Sequence, residues 1–127
     1  MARVFLSFNY EDIASKKTVD NWKKQNIGSD ICFTSEDGYS YSDKGEILVK
    51  KILKDQIAKA HLVLVLVGND THNRPWVNYE ISYAKTHGKK VIWTQIPGTT
   101  GGPPKEIINT VGLPFNMNQI QQAIRQI

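Results

Sequence analysis

Near the middle of the chain runs the apolar sequence HLVLVLVG, residues 61–68. An unbroken apolar run of this kind, rich in valine and leucine, is typical of a strand that is buried on both faces of a sheet. The segment that follows, residues 76–87, predicts a helix packed on that strand. Pro75 suits its first turn, where the missing N–H costs nothing, and Gly88 suits the position just past its end.

The predicted helix opens with the sequence WVNYE, residues 76–80, which places a carboxylate among aromatic side chains. At about 100° per residue, Glu80 falls within about 40° of Trp76 and about 60° of Tyr83 around the helix axis. Because a glutamate is seldom buried without a reason, Glu80 is the first candidate for a functional residue.

Composition limits the class of protein. The 127 residues predict a single domain, 1–127, and 40% hydrophobic with 22% charged residues is typical of an ordinary globular protein. The longest apolar run is far too short to span a bilayer, so no membrane contact is expected. A single cysteine, Cys32, and the absence of a signal peptide predict a cytoplasmic location. The net charge is +4, but the lysines are scattered, and no nucleic-acid partner is expected.

The remaining predicted elements alternate along the chain. They are strands at 3–8, 30–34 and 89–95 and helices at 12–26, 46–58 and 116–127. This alternation predicts an α/β fold, specifically a flavodoxin-like, three-layer, doubly wound parallel sheet with strand order 2-1-3-4-5. The fifth strand, near Val111-Gly112-Leu113, is expected to be short or degenerate because Pro114 follows it.

In a sheet of this order, ligands bind beyond the carboxyl ends of the strands, at the switch point between strands 1 and 3. Glu80 lies about a turn and a half into the helix after strand 3 and is expected to face the same crevice. The candidate substrate-binding residues are Phe8, Asn9, Tyr10, Asn69 and Trp76. The aromatic side chains among them can stack on a base, and the two asparagines suit either turns or hydrogen bonds to ribose and phosphate.

Several kinds of site are disfavoured. The chain has no glycine-rich dinucleotide motif and no P-loop. His61, His72 and His87 lack metal-ligand spacing, so no metal is expected. A phosphoacceptor site built from residues 11–12 and Asp70 lacks support at the end of strand 4.

A single carboxylate beside aromatic side chains suits cleavage of an N-glycosidic bond. The transition state of that reaction resembles an oxocarbenium ion, which a fixed negative charge stabilises.

The chain resembles a TIR domain, in particular the small TIR-like proteins of bacterial Thoeris antiphage defence. The segments that carry the resemblance are 4–12, 60–68 and 76–84, and the resemblance covers roughly residues 3–96. It implies that Glu80 is catalytic and that NAD⁺ is a substrate rather than a cofactor. Nicotinamide is then released, and the expected product is a cyclic ADP-ribose isomer.

The resemblance also implies partners. The loop Ser35–Asp43 corresponds to a mobile loop that closes over substrate or contacts a neighbouring subunit, so a homo-oligomer is one expectation. The length of the chain leaves no room for an effector, which is therefore expected to be a separate protein that receives the nucleotide signal.

Two other functions stay open at this point. Many TIR domains act only as adaptors that self-associate, and nucleoside deoxyribosyltransferases also use a helix glutamate on a similar sheet.

Overall fold

A computed structural model of the chain describes residues 2–25, 28, 30–35, 46–110 and 112–126. In this part of the chain, four strands form one sheet, in the order β2-β1-β3-β4, and every neighbouring pair is parallel. The strands are β1 (Ala2–Ser7), β2 (Ile31–Thr34), β3 (Leu62–Val67) and β4 (Lys90–Gln95). The predicted doubly wound parallel sheet is confirmed.

Four helices cover the sheet in the described part of the chain. They are α1 (Ile13–Asn21), α2 (Glu46–Lys59), α3 (Pro75–Thr86) and α4 (Met117–Arg125). Pro75 opens α3, and Gly88 follows it with φ 73°, the left-handed conformation that glycine adopts most readily. Both predicted boundaries of this helix are confirmed.

The first helix is shorter than its predicted range of 12–26. It ends at Asn21, where the chain tightens into a 3₁₀ turn and the Trp22 N–H bonds to the Val19 carbonyl. This turn buries Trp22 against the rings of Phe33 and Phe115, at centroid distances of 6.4 and 5.5 Å. The helix therefore ends before residue 26, because the chain turns at this point to bury the indole of Trp22.

Strand β3 lies at the centre of a three-layer arrangement, in which helices cover both faces of the sheet, and it is buried along its whole length. Its leucines face α1 and α4, and its valines face α2 and α3. The alternation follows from the two-residue period of a strand, so one apolar run supplies both halves of the core.

The fifth strand is degenerate, as predicted. In the described residues it is reduced to one parallel bridge between Thr94 and Leu113. The Thr94 hydroxyl donates to the Leu113 carbonyl at 2.8 Å, and the Leu113 N–H donates to the Trp93 carbonyl at 2.9 Å. Pro114 follows and has no N–H with which to extend the ladder.

Some predictions fall on residues outside those described. They concern the loop 35–43 after its first residue, Val111 of the fifth strand, and the last positions of the first and final predicted helices. Where the chain is described, none of its helices is both long and apolar enough to cross a bilayer.

Candidate functional site

Glu80 lies on the inner face of α3, and only 3% of its surface is exposed. The Ser7 hydroxyl donates a hydrogen bond of 2.7 Å to Glu80 Oε1. Ser7 is the last residue of β1 and, by strand alternation, shares the face of Phe5 toward α2 and α3. The carboxylate is therefore fixed at the carboxyl end of β1 and does not point into bulk solvent.

A cavity of about 230 Å³ lies between the end of β1 and the first turn of α3. We call it the switch-point cavity; it is lined by Phe8, Asn9, Tyr10, Arg74, Pro75, Trp76 and Val77. Glu80 is about one helical turn beyond the α3 residues of this lining and is itself nearly covered. Glu80 is thus buried and is not among the residues that line the cavity.

Four of the five predicted substrate-binding residues meet at this cavity. Phe8 also packs into the core beneath α1 and α4, whereas Tyr10 is half exposed. The Asn9 side-chain oxygen accepts from the Glu11 N–H at 3.4 Å and so caps the 3₁₀ turn Tyr10–Asp12. Asn9 is therefore a turn residue as well as a lining residue.

Asn69, the fifth predicted residue, is not among the lining residues of the cavity. Its side-chain oxygen accepts from the Thr100 N–H at 2.9 Å. The loop that contains Thr100 packs closely on the end of β3, since a Cβ on Gly101 would collide with the carbonyl oxygens of Gly68 and Asn69. In this structure Asn69 holds that loop in place.

Arg74 is a lining residue that the sequence reasoning missed. Its Nη2 atom lies 3.0 Å from Asp70 Oδ2 and 3.3 Å from Glu11 Oε1, so one guanidinium is shared by two carboxylates. These three side chains carry a net charge of about −1 at neutral pH. In the described part of the chain, no group of three or more His, Cys, Asp or Glu side chains is placed to hold a metal ion.

Asp12 adds a further acidic group near the ends of β1 and β3. Its carboxylate packs against Gly68, where a Cβ would collide with it, and its Oδ2 atom has no hydrogen-bond partner among the described residues. Burial raises the pKa of Asp12; the neighbouring Glu11 raises it further, and Arg74 opposes the shift.

We expect Asp12→Asn to stabilise the protein at pH 7. A carboxyl group whose pKa is raised by folding makes stability fall as the pH rises from its unfolded pKa, about 3.9, through its folded one. The gain in the free energy of unfolding should stay below about 1 kcal/mol, because solvent screens the group, and should vanish near pH 3. Urea unfolding at both pH values measures it, with the exposed Asp55→Asn on α2 as control. A gain that is equal at pH 3 and pH 7 contradicts the prediction.

The strand order, the cavity at the switch point and the buried carboxylate of Glu80 define a class of protein. It is a doubly wound α/β domain with a cavity beyond the carboxyl ends of β1 and β3, where folds of this class bind their ligands. A family model described as "Thoeris protein ThsB, TIR-like domain" matches residues 5–101, and the chain belongs to this family. The match includes Glu80 and the whole lining of the switch-point cavity.

Two individual proteins are similar to this chain. A Bacillus cereus (strain MSX-D12) protein named "Putative cyclic ADP-D-ribose synthase ThsB1" is 29% identical over 98 residues, which cover 74% of this chain and 51% of that protein. The chain thus spans about half the length of that relative. The solved structure of the CMP N-glycosidase BcmB from Clostridium botulinum superposes with a TM-score of 0.55 and 17% identity, covering 98% of each chain. That likeness shows the shared fold.

Proposed function

We propose that this chain cleaves the N-glycosidic bond between nicotinamide and ribose in NAD⁺, with Glu80 as the catalytic residue. The observation that carries the proposal is the buried Glu80 carboxylate, held by Ser7 beside the switch-point cavity. The name of the Bacillus cereus relative, a cyclic ADP-D-ribose synthase, supports the choice of substrate class.

The chemistry follows from charge. As nicotinamide departs, positive charge builds up at the anomeric carbon of the ribose, and a nearby carboxylate stabilises it. The stabilisation is larger where water is excluded, because the effective dielectric constant is lower there. Ser7 fixes one carboxylate oxygen in advance, so less reorganisation of Glu80 is needed during the reaction.

Access to Glu80 requires a conformational step. With 3% of its surface exposed, the residue is covered until side chains of the cavity wall move. In this proposal, substrate binding displaces part of the wall formed by Phe8 and Trp76, and the cavity then extends to the carboxylate. Such closing and opening movements are common in enzymes that exclude water from a reactive cation.

Exclusion of water also bears on the product. A ribosyl cation that is shielded from water is captured by a nucleophilic atom of the same ADP-ribose molecule, which closes a ring. We therefore propose that the product is a cyclic ADP-ribose isomer. In this proposal the product is a signal that a separate effector protein receives, and the chain associates with further copies of itself.

Incubation of the purified chain with NAD⁺ tests the proposal. Chromatography with mass spectrometry should detect nicotinamide and a product lighter than ADP-ribose by one water molecule. Parallel incubations contain CMP, or a deoxynucleoside with a free base. If CMP is cleaved faster than NAD⁺, or if base exchange on the deoxynucleoside is faster, NAD⁺ is not the preferred substrate and the proposal fails. If the chain neither binds nor cleaves any of these compounds, the adaptor function is favoured.

A further inference from the structure

A second cavity adjoins the first at the start of α3. It has a volume of about 220 Å³ and is lined by Lys50, Pro75, Trp76 and Tyr79; we call it the aromatic cavity. Pro75 and Trp76 line both cavities, so the two are neighbours at the first turn of α3. Either volume alone falls below the range of about 300–1,000 Å³ found for small-molecule pockets, whereas the two together fall within it.

The two cavities differ in charge. Arg74 is the charged residue that lines the switch-point cavity, and its guanidinium already bonds to Glu11 and Asp70, which leaves net negative charge. Glu80, about one helical turn beyond the α3 residues of this lining, is a further acidic residue near this cavity.

The aromatic cavity is instead lined by a cation, Lys50. The Lys50 ammonium lies 5.4 Å from the centre of the Tyr79 ring, which fits a cation–π contact. The Tyr79 ring in turn meets the Trp76 ring edge to face, with 5.9 Å between centroids. A cation and two aromatic faces therefore lie together on this side.

The substrate of the proposed function has matching polarity. The nicotinamide ring of NAD⁺ is a cation, whereas its pyrophosphate is an anion that is joined to an adenosine with a flat base. The cationic end suits the negative switch-point cavity, and an anion next to an aromatic base suits Lys50 with Trp76 and Tyr79.

We propose that the two cavities form one bipartite site in which Lys50 binds the pyrophosphate of NAD⁺, while the nicotinamide riboside end enters the switch-point cavity. The assignment rests on the proposed function, and it makes Lys50 the residue that distinguishes dinucleotides from phosphate-free nicotinamide compounds. Trp76, which lines both cavities, is placed next to both halves of the bound molecule by this assignment.

Binding measurements on the full chain test this assignment. The Glu80→Gln background slows turnover, and calorimetric titrations use NAD⁺, ADP-ribose and nicotinamide riboside. Lys50→Gln should raise the Kd for NAD⁺ and ADP-ribose about tenfold, the usual cost of one charge-assisted contact, and leave that of nicotinamide riboside unchanged. The control is Lys54→Gln, which removes the same charge one turn along α2 from an exposed position outside both cavities; it should leave all three values unchanged.

Several results would overturn the assignment. They are equal effects of Lys50→Gln and Lys54→Gln, an equal loss for nicotinamide riboside and NAD⁺, and failure of NAD⁺ to bind the parent protein. By contrast, if the wild-type chain releases no nicotinamide while Lys50→Gln weakens the two phosphate-bearing ligands selectively, the proposed function fails and the Lys50 assignment stands.

Discussion

Glu80→Gln is expected to slow nicotinamide release from NAD⁺ about 10²–10³-fold, the range typical of removing one preorganised electrostatic group. Glutamine has nearly the same shape, and its amide oxygen can still accept the hydrogen bond from the Ser7 hydroxyl. What is lost is the negative charge that stabilises the ribosyl cation in the proposed reaction. Because that charge acts in the transition state, kcat should fall far more than KM rises.

The matched control is Glu106→Gln. Glu106 is exposed in the 3₁₀ turn Lys105–Ile107, and its backbone oxygen, which the substitution does not change, accepts from Lys85 Nζ at 2.7 Å. This variant should keep the wild-type rate. Urea unfolding of both variants confirms that each is folded. If Glu80→Gln retains a rate within threefold of wild type, about 0.7 kcal/mol or less in the barrier, Glu80 is not the catalytic residue.

The sheet could be predicted because its central strand is encoded by residues that are adjacent in the sequence. A continuous apolar run reads as a strand buried on both faces, and the structure buries every residue from Leu62 to Val67. The limits of α3 were also local, since Pro75 and Gly88 have backbone preferences that hold wherever they occur.

The end of α1 could not be predicted in the same way. The sequence pattern continues past Asn21, but the chain turns to bury Trp22 against Phe33 of β2 and Phe115, which precedes α4. Those contacts join segments distant in sequence, so a helical period within residues 12–26 contains no sign of them.

The same distinction applies to the candidate site. The switch-point rule placed Phe8, Asn9, Tyr10 and Trp76 at one edge of the sheet, and they line one cavity there. The bond between Ser7 and Glu80 joins residues 73 positions apart and depends on how α3 lies across β1.

For Asn69, the switch-point rule predicted the position in the chain but not the contact that the side chain makes. It follows β3 as expected, yet its side chain is engaged by the backbone of Thr100. That contact requires the loop after β4 to lie against the end of β3, where Gly101 allows close approach. Which polar groups at a sheet edge remain available to a ligand is thus decided by loops that the strand pattern does not describe.

Leu64→Ala should cause the second large effect, a loss of about 2–5 kcal/mol in the free energy of unfolding. Leu64 is fully buried in the middle of β3, in register with Leu6 of β1 and Ile92 of β4. Truncation removes buried apolar surface and leaves a cavity that the paired strands on both sides cannot close. Urea unfolding at neutral pH measures the loss.

The same substitution at Leu48 separates burial from side-chain chemistry. Leu48 lies on α2 with half of its surface exposed, so Leu48→Ala should cost less than about 0.5 kcal/mol. Equal costs at the two leucines would mean that β3 is not the doubly covered centre of the sheet. The switch point would then lie elsewhere, because it exists only where β1 and β3 are neighbours with helices on both faces. A large difference between the two variants therefore supports the arrangement that places Ser7 beside Glu80.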